Sequence, residues 1–344
     1  MSHLAIPMVS AAEFAAVAAA VDAQFGVEAT HKVFSQYGFS RKLLDEPEMQ
    51  IANTEYMRFL EACARVTCEP LLGAKIGDSV PFSDLGLYGQ YVSEAPSLTV
   101  ALERASRALK YHESGSRLTY QIEGQRLSLI YVPPTPRAIG SWHQSDGVAA
   151  MLINLVKEYE APHWKPSQIK VAAATKVRQV ELRAFFGVDI QDSVVGTEVT
   201  GEISVPQSIN RSRRKTFNWS ALRQLVSKRP PETFGGTMRI LTGPLARRGI
   251  FDLSQIADCI GVAPRTIQRR LAAEGTTFGS ILQGARREWA EDLLVTTSLT
   301  MPEIAGLLGY TSKQHFIRAY RDWSGLTPAS RRSKNRNFQC GRAQ

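Results

Sequence analysis

Cysteine is scarce in this chain, four in 344 residues, and the four are poorly placed to work together. Cys63 and Cys68 are five apart, Cys259 falls on an expected core face, and Cys340 lies near the end. That spacing builds neither a disulfide framework nor a zinc site, so a reduced, cytoplasmic protein is expected. No run of about 18 apolar residues occurs, and no transmembrane helix is expected. The Ala-rich stretch 11–20 lacks the basic start of a signal peptide, contains Glu13 and is followed by Asp22. It reads as the first helix of the fold. Also missing are an HExxH pair, a Ser-His-Asp motif and a phosphate-cradling glycine loop. No catalytic group, metal or cofactor is therefore nominated.

Acidic residues run short in one region. Residues 211–344 hold 23 Lys and Arg against 9 Asp and Glu, a balance of +14. Residues 1–210 hold the remaining 18 and 23, a balance of −5 within the net +9. A basic C-terminal third on a mildly acidic body suggests a polyanion-binding module joined to a different domain.

The same third contains one pattern written twice. Residues 252–261 read Asp-Leu-Ser-Gln-Ile-Ala-Asp-Cys-Ile-Gly, and residues 300–309 read Thr-Met-Pro-Glu-Ile-Ala-Gly-Leu-Leu-Gly. The Ile-Ala pairs and the closing glycines superpose at an offset of 48. Asp252 with Gln255, and Thr300 with Glu303, have capping-box spacing. Each copy then turns at glycine and enters a short helix rich in donors, which is helix-turn-helix architecture.

Before this region the chain predicts an α+β domain. Helices are expected over 11–25, 30–37, 54–67 and 97–111, and a turn over 84–90 where Gly86 and Gly89 interrupt the period. Leu118, Tyr120 and Ile122 alternate with polar residues, as do Leu127, Leu129 and Tyr131 beyond Gly124, so a β-hairpin is expected. A helix over 146–159, a strand over 169–174, a helix over 176–186 closed by Gly187, and weak strands up to Val205 follow. A helix over 219–228 leads to Pro230-Pro231 and Gly235-Gly236, the expected linker. The divisions are thus 1–228 for the first domain, 229–236 for the linker, 237–332 for an all-α domain with two helix-turn-helix motifs, and 333–344 for a basic tail expected to be disordered.

In the first expected recognition helix, 264–271, Pro264 suits the first turn and Ile267 and Leu271 should face inward. Arg265, Thr266, Gln268 and Arg269 are then the candidate DNA-facing set. Arginine can read guanine bidentately and glutamine can read adenine. Arg270 lies off that face and is expected to meet phosphate or an acidic neighbour. In the second helix, 312–321, Phe316 and Tyr320 repeat the inward spacing, leaving Ser312, Lys313, Gln314, His315 and Arg318 as candidates for bases or phosphates. The second turn carries one extra residue. Between the copies, residues 277–295 form an amphipathic helix that can serve both halves. At about 1.5 Å per residue it separates them by a distance comparable with one turn of DNA, roughly 34 Å.

This stretch resembles the DNA-binding domain of AraC-type (AraC/XylS) transcription regulators. The carrying residues include Ile256-Ala257, the run from Arg265 to Leu271, Glu274-Gly275 with Phe278, Arg286, and Ile304-Ala305 with Leu308-Gly309-Tyr310. The strongest piece runs from Phe316 to Pro328. The resemblance implies a seven-helix domain whose two recognition helices enter successive major-groove segments. One departure is Ala263, where a Ser N-cap is usual, so Pro264 must carry more of that helix start. The N-terminal part is similar, less specifically, to the arabinose-binding-like effector domain of some of these regulators, through Leu85-Gly86-Leu87-Tyr88-Gly89, residues 96–102 and Phe185-Phe186-Gly187-Val188.

The function expected is a sequence-specific DNA-binding transcription regulator under control of an N-terminal effector or dimerisation domain, not an enzyme. Expected partners are double-stranded DNA, a small-molecule effector, a second copy of the chain and, for an activator, RNA polymerase, with no membrane. Effector-binding residues are not legible. Two other readings compete. One is an enzyme with a DNA-binding appendage, such as an alkyl acceptor, which needs an activated thiolate beside a base or metal. The other is a pure dimerisation module using the apolar helix 148–159, whose bland alternative is core burial.

Overall fold

The computed structural model describes residues 5–37, 39, 44, 49–172, 175–194, 196–204, 219–227 and 230–333. The chain divides into two compact units, Pro7–Pro230 and Pro231–Gln344 with Met1–Ile6. The expected tail, the end of the strand at 173–174, and the stretch 205–218 lie outside the described residues.

In the first unit, a strand β1 (Met8–Ser10) pairs antiparallel with β2 (Gln50–Ala52). Ser10 caps helix α1 (Ala11–Phe25) by accepting from the Ala12 amide at 3.3 Å. Helices α2 (Val27–Tyr37) and α3 (Asn53–Thr67) pack on α1 through Phe14, Phe34 and Phe59, with the Phe14 and Phe59 rings stacked 3.8 Å apart. Sequence reading overlooks two short helices here. One is α4 (Leu72–Ser79). The other is α5 (Gly86–Ser93), which overturns the expected turn at 84–90. Gly89 sits inside that helix because a Cβ there would stand 2.0 Å from the Phe82 carbonyl oxygen. The glycine marks a close approach and not a chain reversal.

Helix α6 (Leu98–His112) begins at Ser97, whose hydroxyl accepts from the Val100 amide at 3.4 Å, and buries Leu98, Ala101, Leu102, Ala105, Ala108 and Leu109. The expected hairpin forms as β3 (Arg117–Glu123) and β4 (Arg126–Val132), with Leu118 opposite Tyr131 and Tyr120 opposite Leu129. Strands β5 (Gln168–Ala172), β6 (Asp189–Ser193) and β7 (Thr197–Glu202) complete a mixed sheet of order β3-β4-β7-β5-β6. Only β5 and β6 run parallel, and the helix α8 (Lys176–Phe186) makes the crossover a parallel pair requires.

Helix α7 (Ser141–Lys157) lies between this sheet and α4. It is buried along most of its length, so its apolar residues serve the core and not a dimer face. A Cβ on Gly73 would meet the His143 carbonyl oxygen at 1.9 Å, and one on Gly77 the Gly147 carbonyl oxygen at 2.2 Å. The two helices therefore touch backbone to backbone, and α7 can carry polar His143, Gln144 and Asp146 into the interior. A further helix, α9 (Trp219–Ser227), ends the unit.

The second unit is all helical among its described residues: α10 (Phe234–Arg247), α11 (Leu253–Ile260), α12 (Pro264–Ala273), α13 (Phe278–Thr296), α14 (Met301–Leu307), α15 (Lys313–Ser324) and a last helical stretch over 328–333. Helix α10 starts at Phe234, within the expected linker, because Thr233 caps it by accepting from the Gly236 amide at 3.0 Å. No helix among the described residues is long and apolar enough to cross a membrane.

Candidate nucleic-acid interface

The two repeated motifs fold alike. In α11 the Asp252 carboxylate accepts from the Ser254 and Gln255 amides at 2.8 and 3.4 Å. The Ser254 hydroxyl, more than any other group, holds that carboxyl below its usual range. In α14 the box is reciprocal: Thr300 Oγ1 accepts from the Glu303 amide at 3.5 Å, and Glu303 accepts from the Thr300 amide at 2.7 Å. Asp252 and Gln255 therefore make half of the expected box. A neutral Gln amide is a weaker acceptor for the returning bond than a carboxylate. Both helices close on left-handed glycines, Gly261 at φ 68° and Gly309 at φ 73°. The next residue of each then donates back, Val262 to the Ala257 carbonyl at 3.1 Å and Tyr310 to that of Ala305 at 2.9 Å. That pairing is the Schellman stop. Val262 and Ala263 then lead to Pro264, whereas Tyr310, Thr311 and Ser312 lead to Lys313, which accounts for the extra turn residue.

Ala263 makes no side-chain cap, and α12 starts on Pro264, whose absent N–H costs nothing there. Ile267 and Leu271 are fully buried, and so are Phe316 and Tyr320. The inward spacing thus turns Arg265, Gln268 and Arg269 to solvent on α12, with Thr266 half-buried. On α15 it exposes Lys313, Gln314, His315 and Arg318. Two of the nine candidates have work inside the protein. Ser312 caps α15 by accepting from the His315 amide at 3.3 Å, and His315 Nδ1 lies 3.2 Å from the Thr311 hydroxyl. Arg265, Arg269, Lys313 and Arg318 form no ion pair among the described residues. Arg270 lies off the exposed face, half-buried. Its guanidinium lies over the Phe234 ring at 5.2 Å, tying α12 to α10.

The spacer helix α13 is shared. Its Thr277–Ser280 box fixes its start, Ile281 and Leu282 are buried in its first half, and Ala290 and Leu294 enter the core of the second motif with Ile304, Phe316 and Tyr320. Midway, the Arg286 guanidinium lies 4.9 Å from both the Phe251 and the Tyr310 rings and donates to the Gly309 carbonyl at 3.5 Å. Phe251 precedes the first motif and Tyr310 sits in the turn of the second, so one cation bridges the two. In the sequence Arg286 stands out only through the resemblance, because no periodicity shows what a side chain lies between.

Two acidic groups brace the ends. The Glu274 carboxylate accepts from the Phe234 and Gly235 amides at 2.9 and 2.8 Å, capping α10 from the end of α12. Glu274→Ala should cost about 1–2 kcal/mol, read as a lower urea midpoint with unchanged slope; an unchanged midpoint would show that water replaces the cap. Glu291 takes the Tyr320 hydroxyl and accepts from Arg331 Nε at 2.7 Å. Burial opposes its ionisation, but these two partners outweigh it and hold the carboxyl below its usual range.

Comparison with known proteins accords with both units. Residues 28–192 match the arabinose-binding domain of AraC transcription regulators, N-terminal, and residues 256–334 match a helix-turn-helix domain family. The ornithine utilization regulator of Pseudomonas aeruginosa is 24% identical over 325 residues, covering 89% of this chain and 94% of that protein. The HTH-type transcriptional regulator VirS of Mycobacterium tuberculosis is 27% identical over 289 residues, covering 81% and 83%. The crystal structure of transcriptional regulator CdpR from Pseudomonas aeruginosa aligns over 89% of this chain and 97% of that one, at 17% identity and a TM-score of 0.39. With one domain type matched in each half and relatives aligned along most of its length, the chain belongs to the AraC-type DNA-binding transcription regulators that carry an arabinose-binding-like N-terminal domain.

Proposed function

We propose that α12 and α15 enter two adjacent major-groove segments of one operator and divide the labour. Arg265, Gln268 and Arg269 read base edges, with Thr266 beside them, while Lys313, Gln314, His315 and Arg318 chiefly grip the backbone and Ser312 sets their helix start. The observation that carries this reading is the pair of matched exposed faces above buried Ile267/Leu271 and Phe316/Tyr320. The first face has bidentate readers for guanine and adenine. The second has one fork, Arg318, and one single-point cation, Lys313, beside Gln314, while Ser312 and His315 already have partners within the protein.

The test is a mobility-shift titration against the cognate operator and a scrambled duplex. Arg265→Ala and Gln268→Ala should each cost about 1–3 kcal/mol and relax preference at one base position. Lys313→Ala should weaken both duplexes alike and reduce the salt slope by about one phosphate. Variants of α12 that keep full discrimination would remove that helix as the reader.

In this reading the N-terminal unit senses a small molecule and biases DNA binding, in a cytoplasmic homodimer that contacts RNA polymerase where it activates. Support for regulation over thiol chemistry comes from Cys63. It is fully buried, and burial, then the charge of Asp22, pushes its thiol far above the usual range. An alkyl acceptor needs the opposite shift. Dimerisation is read by sedimentation, and effector control by ligand-dependent stability of the full chain.

A further inference from the structure

The N-terminal unit buries an unusual set of polar groups around two adjoining cavities of about 30 and 50 Å³. Glu13, Leu85, Val148 and Met151 line both, so the two are neighbouring lobes against the same four side chains. Glu113 lines the larger lobe; its Oε1 accepts from Asn53 at 2.7 Å and Gln144 at 2.8 Å, and its Oε2 accepts from the Tyr131 hydroxyl at 2.6 Å. Glu13 Oε2 lies 3.0 Å from His112 Nε2, and the Tyr56 hydroxyl also donates to Glu13. No Lys or Arg lines either lobe among the described residues.

Gln144 is 3% exposed and lines the smaller lobe, and its Oε1 has no partner in the protein. The amide cannot turn round, because Nε2 is needed to donate to Glu113. His143, beside it on the same lobe, also has an unpartnered Nδ1. Burial and then the Arg178 charge lower its pKa to about 4, so the ring is neutral. With Nε2 facing Glu61 at 3.6 Å, the proton belongs on that side and Nδ1 is left as an acceptor. Two residues with orphan acceptors therefore line the same small lobe as the Glu13 carboxyl, where a buried polar atom without a partner is costly.

We propose that this space is the effector site and that its ligand is a short-chain primary ammonium compound. The inference rests on the effector reading above. The ammonium group offers three donors, matching Gln144 Oε1, His143 Nδ1 and the Glu13 carboxylate, while its alkyl body lies along Leu85, Val148 and Met151. The two lobes together are smaller than the roughly 150 Å³ cavity that takes benzene, so chains of a few carbons fit, and longer ones require the flexible Met151 to move.

The experiment uses the full-length protein and n-propyl- and n-butylammonium chloride as probes, read by thermal shift and calorimetric titration. Sodium chloride at equal ionic strength, tetramethylammonium, n-butanol and butyrate are the comparisons. Saturable stabilisation by the primary ammonium salts alone supports the site. Gln144→Met should weaken binding about tenfold or more, the loss of a hydrogen bond to a charged donor. Met151→Ala should move the preferred chain length upward, an effect that mere loss of stability would not produce. Equal shifts from tetramethylammonium, or none beyond sodium chloride in the wild-type protein, would overturn the ammonium assignment. A metabolite panel run beside it separates the two failures: stabilisation by a ligand of another class keeps effector sensing, and no stabilisation by any ligand removes both.

Discussion

Replacing Gly309 by alanine should lower stability by about 2–5 kcal/mol and weaken binding to a two-segment operator more than binding to a half-length one. Two independent costs add here. The residue sits at φ 73°, where a Cβ carries about 1–2 kcal/mol of strain. The same Cβ would stand 2.6 Å from the Phe251 ring. That ring cannot simply step aside, because Arg286 covers it at 4.9 Å and lies equally close to Tyr310. Overpacking of this kind costs about 1–3 kcal/mol. Relief of the clash must pull Phe251, Arg286 and the second turn apart, and these are the contacts that bridge the two motifs. A double variant, Gly309→Ala with Phe251→Leu, should recover the clash component and leave the backbone strain, which chemical denaturation of all four proteins measures. Additive losses would mean that Phe251 does not press on the second turn. Equal loss on full and half operators would mean that this contact supports folding without setting the spacing of the readers.

The second unit was legible because its signals are local. Caps, glycine stops and a buried pair four residues apart are all written within ten residues, and Asp252, Gly261, Ile267, Leu271 and their counterparts behave as those signals imply. Arg286 and Glu274 were legible only as part of a likeness, since their roles depend on what lies across the unit: two aromatic rings in one case, a distant helix start in the other. The first unit resisted reading for a related reason. Gly86 and Gly89 suggest a turn if only local conformation is considered, yet Gly89 is small because the Phe82 backbone passes it. Glu13 reads as the polar side of an alanine-rich helix, and only the fold brings it beside His112, more than ninety residues later in the chain. Periodicity finds faces. It does not find polar groups gathered from α1, α3, α6, β4 and α7 into one interior.

Glu113→Gln should leave the protein about as stable as wild type near pH 5 and make it more stable at pH 8, by on the order of 2–3 kcal/mol. Burial first, and then the neighbouring Glu13, raise the Glu113 carboxyl from its ordinary 4.5 to about 7. Hydrogen bonds from Tyr131, Gln144 and Ser116 oppose the rise without cancelling it. An unfolded glutamate releases its proton near 4.5 whereas the folded one keeps it to about 7. Folding therefore takes up a proton across that window. The stability involved is whole below pH 4.5 and is lost as pH climbs through 7, since one pKa unit corresponds to about 1.4 kcal/mol. Glutamine reproduces the protonated form. Its oxygen can accept from Asn53 and Gln144, and its amide can donate to Tyr131, whose hydroxyl is able to accept. Two other groups titrate nearby and need the variant as their control. Asp146, raised to about 7 by burial against the pull of Arg178, acts in the same direction as Glu113. His143, lowered to about 4, acts in the opposite one, its contribution being lost as pH falls below 6.5. Both persist in Glu113→Gln, so the difference between the two proteins reads Glu113 together with its Coulombic partner Glu13. Urea midpoints at pH 5, 6, 7 and 8 decide the matter. Parallel curves for wild type and variant would show that Glu113 is already ionised in the fold at neutral pH, its charge held by Asn53, Gln144 and Tyr131.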